Sequence, residues 1–172
     1  MSPAARYAWI FAATAIFAKL GVYALHLQYD NRVDFGIIAV NLLCVLLAVF
    51  FGMRGESLLA KEKTGFVFNV KSGVKSAALF SLALAVFLFI YYKYLDPGYF
   101  ETKISEITHA AEQLDVSAAD SSVVQSGSSR EAMIAKQVQT ARTVFSPFYH
   151  ATFSLLGLML VGGLYAFLIA WL

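Results

Sequence analysis

The stretch Phe35–Met53, FGIIAVNLLCVLLAVFFGM, contains no charged residue. A helix of this length, at about 1.5 Å per residue, crosses a hydrocarbon core of about 30 Å. Ser76–Tyr92 and Thr143–Leu172 also contain no Asp, Glu, Lys or Arg, and the apolar stretch Tyr7–Gln28 carries one charge, at Lys19. The sequence therefore predicts an all-α integral membrane protein, a single membrane domain over residues 1–172 with four spans near 4–27, 34–54, 74–95 and 148–171.

The composition agrees with a membrane protein. Of the 172 residues, 59% are hydrophobic and 14% are charged, and the mean hydropathy is +0.67. A soluble domain has about 25% charged residues. The net charge of +2 is too small and scattered for a nucleic-acid partner. A single cysteine, Cys44, excludes an internal disulfide and a Cys-built metal site, and no catalytic or cofactor motif is present.

The first apolar stretch also imitates the three regions of a signal peptide, with Arg6, the run Tyr7–Ala18 and Val22-Tyr23-Ala24. Lys19 interrupts the apolar region of such a peptide, so a membrane span is the preferred interpretation.

Basic residues near the span ends predict the orientation. They crowd into residues 54–75, whereas on the other side they spread along an acid-rich loop over residues 96–147. Because long, acid-rich loops translocate largely regardless of their basic residues, we expect both termini in the cytoplasm. The expected location is the bacterial inner membrane, with an outer aromatic belt of Tyr91, Tyr92, Tyr94, Tyr99, Phe148 and Tyr149.

The loop over residues 96–147 is predicted to form an extracytoplasmic hairpin of two amphipathic helices. Asp96-Pro97 is typical of a helix start, and an apolar stripe follows at Phe100, Ile104, Ile107, Ala111 and Leu114. Ser128 and Glu131 have capping-box spacing, before a second stripe at Ile134, Val138, Ala141 and Phe145. The stripes can pack on each other, lie on lipid or hold a partner's helix. Mutual packing is the preferred interpretation, and the lipid surface is disfavoured because basic residues do not dominate the polar faces.

Glu106 and His109 form a Glu-x-x-His pair, which puts a carboxylate and an imidazole on one helix face. Di-iron bundles need this motif twice. With one copy, a solvated helix face is the preferred interpretation, and no metal is predicted.

Lys19 is the sharpest polar signal within a span. Lys19, Tyr23, His26 and Asp30 recur at helical spacing, and Ala15, Ala12 and Ala8 continue the same face, which suits the interior of a bundle. Asn41 and Ser154 lie at comparable depth in the second and fourth spans. The sequence therefore predicts a polar cluster of Lys19, Tyr23, His26, Asn41 and Ser154. The alternative is that Lys19 snorkels to the outer interface.

The last span carries Gly162, Ala166 and Ala170 at spacings of four. Small residues in this pattern let helices approach closely. We expect these candidate packing residues to serve contacts within the four-helix bundle, in preference to dimerisation.

Several motifs resemble one bacterial family in order along the chain. They are Phe51-Gly52-Met53-Arg54, the approach from Gly65-Phe66 to Gly73, Tyr91-Tyr92 followed by Asp96-Pro97, and Pro147 before a Gly-rich last span. Together they resemble domain of unknown function 4199, a four-span inner-membrane family of the Bacteroidota. The resemblance implies no activity. It implies a partner in envelope glycan or lipid work, such as a family-2 glycosyltransferase.

The sequence thus favours a non-catalytic accessory or scaffold protein that binds a membrane partner, either another membrane protein or a second copy. The alternative is a small oligomeric transporter or lipid-headgroup binder built around Lys19, His26 and Asn41. A membrane enzyme is the third interpretation, because the only conceivable catalytic residues in the sequence are His26, Asp30, Asp96 and His150.

Overall fold

The computed structural model describes residues 1–60, 65–118, 139–140, 142 and 144–172. Its helices are α1 (Pro3–Ala24), α2 (Asn31–Leu59), α3 (Phe66–Ile90), α4 (Tyr99–Ala118) and α5 (Pro147–Trp171). A π-helical turn, Tyr91–Leu95, extends α3. Helices α1, α2, α5 and the extended α3 are long and apolar enough to cross a membrane. The described ranges contain no strand, so the predicted all-α, four-span fold class is confirmed.

The helices do not end where the spans were expected to end. Helix α2 runs on through Arg54 to Leu59, and α3 begins at Phe66, well before residue 74. Charges in the sequence mark where a helix leaves the hydrocarbon, but a helix continues beyond that point when its backbone is paired. Helix α1 is shorter than expected and ends at Ala24.

The segment over residues 96–147 is described only in part. Helix α4 begins at Tyr99, two residues after the predicted start at Pro97, because Asp96–Gly98 form a turn in which the Asp96 carbonyl accepts a hydrogen bond from Tyr99 N at 3.3 Å. The second predicted arm, with Ser128, Glu131, Ile134, Val138 and Ala141, lies outside the described residues, as do the side chains of Ile107, Ala111 and Leu114. The hairpin therefore stays a prediction.

Met1–Leu88 and Ala151–Leu172 form one compact unit. Small side chains line the buried face of α1, where Ala4, Ala8, Ala12 and Ala15 are each at most 1% exposed. The larger side chains lie beside this face: the rings of Tyr7 and Phe11 stack on Phe51 of α2, with centroids 5.6 and 6.0 Å apart. The alanine stripe that the sequence placed inside the bundle is therefore the contact face of α1.

A polar junction fixes the N-terminal end of α1 to α2 and α3. The Ser2 hydroxyl caps α1 and accepts a hydrogen bond from Lys75 Nζ at 2.9 Å. Glu56 Oε1 accepts one from Ala4 N at 3.3 Å and lies 3.8 Å from Lys75 Nζ. The Ser76 hydroxyl donates to the Ala4 carbonyl at 3.1 Å. A carboxylate at a helix N-terminus is electrostatically favourable, so Glu56 stabilises α1 as well as joining it to α2.

Helices α3 and α5 approach each other through residues without large side chains. A Cβ built on Gly162 would lie 2.5 Å from Cβ of Ala77, and one on Gly73 would lie 2.6 Å from Cβ of Ala166. Gly162 and Ala166 therefore pack against α3 of the same chain, while Ala170 is partly exposed.

Phe89–His150 form the second compact unit. Tyr92 is at its centre, with the rings of Tyr91, Tyr99, Phe100 and His150 between 4.8 and 5.0 Å from it. Tyr91, Tyr92 and Tyr99 are buried here, so the expected belt is wrong for these three. Tilted and edge-to-face contacts between the rings stabilise this buried arrangement. Tyr94, Phe148 and Tyr149 are exposed.

We predict that Gly162→Ala lowers the free energy of unfolding by about 1–3 kcal/mol, because the new methyl group overlaps Ala77. Gly163→Ala is the matched control: it lies on the same helix with nothing within 4 Å, and should change stability by less than about 0.5 kcal/mol. Unfolding in detergent micelles measures both. Equal effects would contradict the close approach of α3 and α5.

Candidate functional site

Lys19 lies on the buried face of α1 and is 3% exposed. Its Nζ is 3.9 Å from Oδ1 of Asp34, which lies in the first turn of α2. The Asp34 side chain is 24% exposed, so the pair reaches from the interior of the bundle toward its surface near the α1–α2 connection. The lysine stem is thus buried while its charge faces a carboxylate, an arrangement that reduces the cost of a charge inside a membrane protein.

The sequence analysis missed Asp34. Two helices joined by a short connection are antiparallel neighbours, so residues at similar distances before and after the connection reach the same level. Lys19 lies five residues before the end of α1 at Ala24, and Asp34 three residues after the start of α2 at Asn31. Their opposite charges at matching levels are the sequence signal from which this ion pair could have been predicted.

His26 does not continue the polar face of α1, and this part of the prediction is wrong. Helix α1 ends at Ala24, and His26 adopts a left-handed backbone with a φ of 56°. The amides of His26 and Leu27 donate to the carbonyls of Tyr23 and Val22, the pattern of a Schellman motif. His26 is exposed in the connection, and only Tyr23 remains on α1, one turn beyond Lys19.

Asp30 also leaves the predicted face, since it is the N-cap of α2. Its Oδ1 accepts a hydrogen bond from Arg32 N at 2.8 Å. Asp30 therefore has a structural role in starting α2.

Asn41 and Ser154 come together in an open groove of about 260 Å³ between α2 and α5. We call it the α2–α5 groove; its lining residues are Ile38, Asn41, Leu42, Ser154, Gly157, Leu158 and Val161. Lys19, Tyr23 and His26 do not line it. The predicted five-residue cluster is therefore divided, with Lys19 beside Asp34 and Asn41 beside Ser154.

The polar groups of this groove are available for binding. Within the part of the chain that the structure describes, the side chains of Asn41 and Ser154 make no hydrogen bond. Gly157 is exposed, and a Cβ built on it would meet nothing within 4 Å. An amide that faces hydrocarbon without a partner is unfavourable, so this surface suits a ligand that brings a donor or acceptor to the same depth.

A second cavity, of about 680 Å³, lies in the unit formed by Phe89–His150. Its lining residues are Glu101, Ile104, Ser105, Thr108, His109 and Arg142. Glu106, the other half of the Glu-x-x-His pair, faces Lys103, with its Oε2 3.2 Å from Nζ. Among the described residues, no group of His, Cys, Asp or Glu side chains has the geometry of a metal site.

Asp96 and His150 both lie in the compact unit formed by Phe89–His150. The carboxylate of Asp96 is buried and its Oδ2 accepts a hydrogen bond from the Tyr91 hydroxyl at 3.5 Å. His150 packs edge-on against Tyr92 and lies 5.7 Å from the Phe100 ring. Both side chains are thus held by the aromatic cluster.

We predict an asymmetric response to removal of the Lys19–Asp34 charges. Asp34→Asn should lower the free energy of unfolding by on the order of 2 kcal/mol, because it removes the carboxylate that faces a buried ammonium. Lys19→Met should cost less, since Asp34 is partly exposed to solvent. The double variant should be more stable than Asp34→Asn alone, and additive losses in a double-mutant cycle would show that the pair is not coupled.

Comparison with known families assigns the chain. A family model described as "Protein of unknown function (DUF4199)" matches residues 6–172, which include α2 to α5 in full and α1 from Arg6 onward. Neither the curated proteins nor the solved structures that were compared give a match. The chain therefore belongs to the DUF4199 family of proteins of unknown function.

Proposed function

We propose that this protein is a non-catalytic accessory protein. It acts by binding a membrane-spanning helix laterally, within the membrane, in the α2–α5 groove. The observation that carries the proposal is the pair of polar side chains, Asn41 and Ser154, which face the groove without a hydrogen bond among the described residues. A helix with a polar residue at that depth satisfies them, whereas a lipid acyl chain has no donor or acceptor.

The shape of the groove supports a helical occupant. Ser154, Gly157, Leu158 and Val161 follow the spacing of a helix-packing seam, with intervals of three, one and three. The exposed Gly157 allows a neighbouring backbone to approach closely.

A transporter or headgroup site built around Lys19 has less support. The charge of Lys19 faces Asp34, and the groove that holds Asn41 does not include it. The residues that such a site would need together are therefore in different places.

Our proposal places the protein in the bacterial inner membrane, with both termini in the cytoplasm and α4 outside. It rests on the crowding of Lys and Arg over residues 54–75. We propose a membrane protein of envelope glycan or lipid assembly as the setting in which the accessory role is exercised.

The orientation of the protein in the membrane can be tested with single cysteines in a Cys44→Ala background, which removes the native thiol. Glu106→Cys should react with a membrane-impermeant thiol reagent in cells with a permeabilised outer membrane, because Glu106 is an exposed residue of α4. Leu58→Cys, 77% exposed beyond Arg54, should react only after the inner membrane is opened. The reverse pattern would invert the orientation.

Groove binding can be tested with a photoreactive amino acid in growing cells. Ile38 lines the groove and is 53% exposed, whereas Leu43 is 54% exposed on the same helix but does not line it. We expect a protein adduct from position 38, identified by mass spectrometry, and none from position 43. Lipid adducts alone at both positions would refute lateral helix binding.

A further inference from the structure

We infer that the helix in the α2–α5 groove belongs to a second copy of this chain, related by a two-fold axis along the membrane normal. This inference rests on the proposed function and names its partner.

The first argument is depth. An occupant must bring a polar group to the level of Asn41 and Ser154 within the membrane. In a two-fold dimer about the membrane normal, every residue meets the partner copy's surface at its own depth. A second copy therefore matches both polar groups without any further requirement on its sequence.

The second argument is chemical complementarity. The Asn41 amide has an acceptor oxygen and two N–H donors, and the Ser154 hydroxyl both donates and accepts. Such groups are self-complementary, so Asn41 can bond to Asn41 or to Ser154 across a two-fold axis. A charged group would repel its own copy, but the groove contains none.

The third argument is the uncovered surface of α5. In its most apolar window 17% of α5 is buried, against 22% for α1, 28% for α2 and 44% for α3, so among the described residues α5 is the least buried of the four spans. Leu160 and Leu164, on the same helix, are 71% and 63% exposed. A second copy on the groove would extend the packing of α5 to a face that is apolar except at Ser154.

The interface can be tested by disulfide formation in native membranes, in the Cys44→Ala background. Ile38→Cys and Val161→Cys, which line the groove and leave Asn41 and Ser154 in place, should give covalent dimers on oxidation when they are expressed singly and together. Leu43→Cys, on α2 outside the groove, is the control and should stay monomeric. Absence of dimers from the groove positions, or equal dimer yields at all positions, would overturn the inference.

The role of the amide can be tested separately by measuring oligomeric state in lipid bilayers and in mild detergent. Asn41→Leu should raise the dimer dissociation constant about tenfold, because it removes the interhelical hydrogen bond and keeps the side-chain volume. Thr14→Leu is the control: it also removes a polar group from an exposed membrane face, but the Thr14 hydroxyl donates to the Ile10 carbonyl within α1. Thr14→Leu should leave the dissociation constant unchanged.

The two proposals fail in different ways. A photo-adduct at Ile38 with a different protein, together with a monomeric wild-type chain, overturns the second copy and leaves lateral helix binding intact. An adduct of twice the chain mass supports both. No protein adduct at Ile38 overturns both.

Discussion

Close approach of backbones is the constraint on which this bundle depends. Lipid is as apolar as a leucine side chain, so the hydrophobic effect does not drive membrane helices together, and van der Waals packing and polar contacts must do so. The chain meets this constraint with small residues, the alanine face of α1 and the Gly162–Ala77 contact between α5 and α3. Short polar bonds such as Ser76 to the Ala4 carbonyl form only because the backbones are already close.

Two ion pairs fix the register of the bundle at opposite ends of α1. Lys19 meets Asp34 near the α1–α2 connection, and Glu56 with Lys75 joins α2 and α3 beside the start of α1. A shift of α1 by one residue would move it about 1.5 Å and rotate its face by about 100°. Both ends would then lose their partners, and the alanine face would turn away from the core. The charges therefore specify one arrangement among the many that an apolar helix pair allows.

The sequence predicts well where each span lies along the chain and which residues share a helix face. It predicts poorly how each helix is rotated about its own axis in the bundle. Gaps between charges located all four spans, and helical phase placed Ala8, Ala12, Ala15 and Lys19 on one buried face. The same phase failed at His26, since a helix can end at a non-glycine residue in the left-handed region that polarity does not reveal. Asn41 and Ser154 were predicted at comparable depth and they line the same groove, but whether they face Lys19 or each other depends on how each helix is rotated about its axis.

The contrast between Thr14 and Asn41 explains why the groove, and not polarity alone, points to an interaction. Both are polar residues within apolar spans. The Thr14 hydroxyl bonds to a carbonyl of its own helix, so it can face lipid without a neighbour. An asparagine amide in a helix has two N–H donors that its own backbone, already paired, does not satisfy in this structure. Asn41 therefore keeps unused hydrogen-bonding groups within an apolar span, and this is the physical reason for which we propose that a helix binds at the groove.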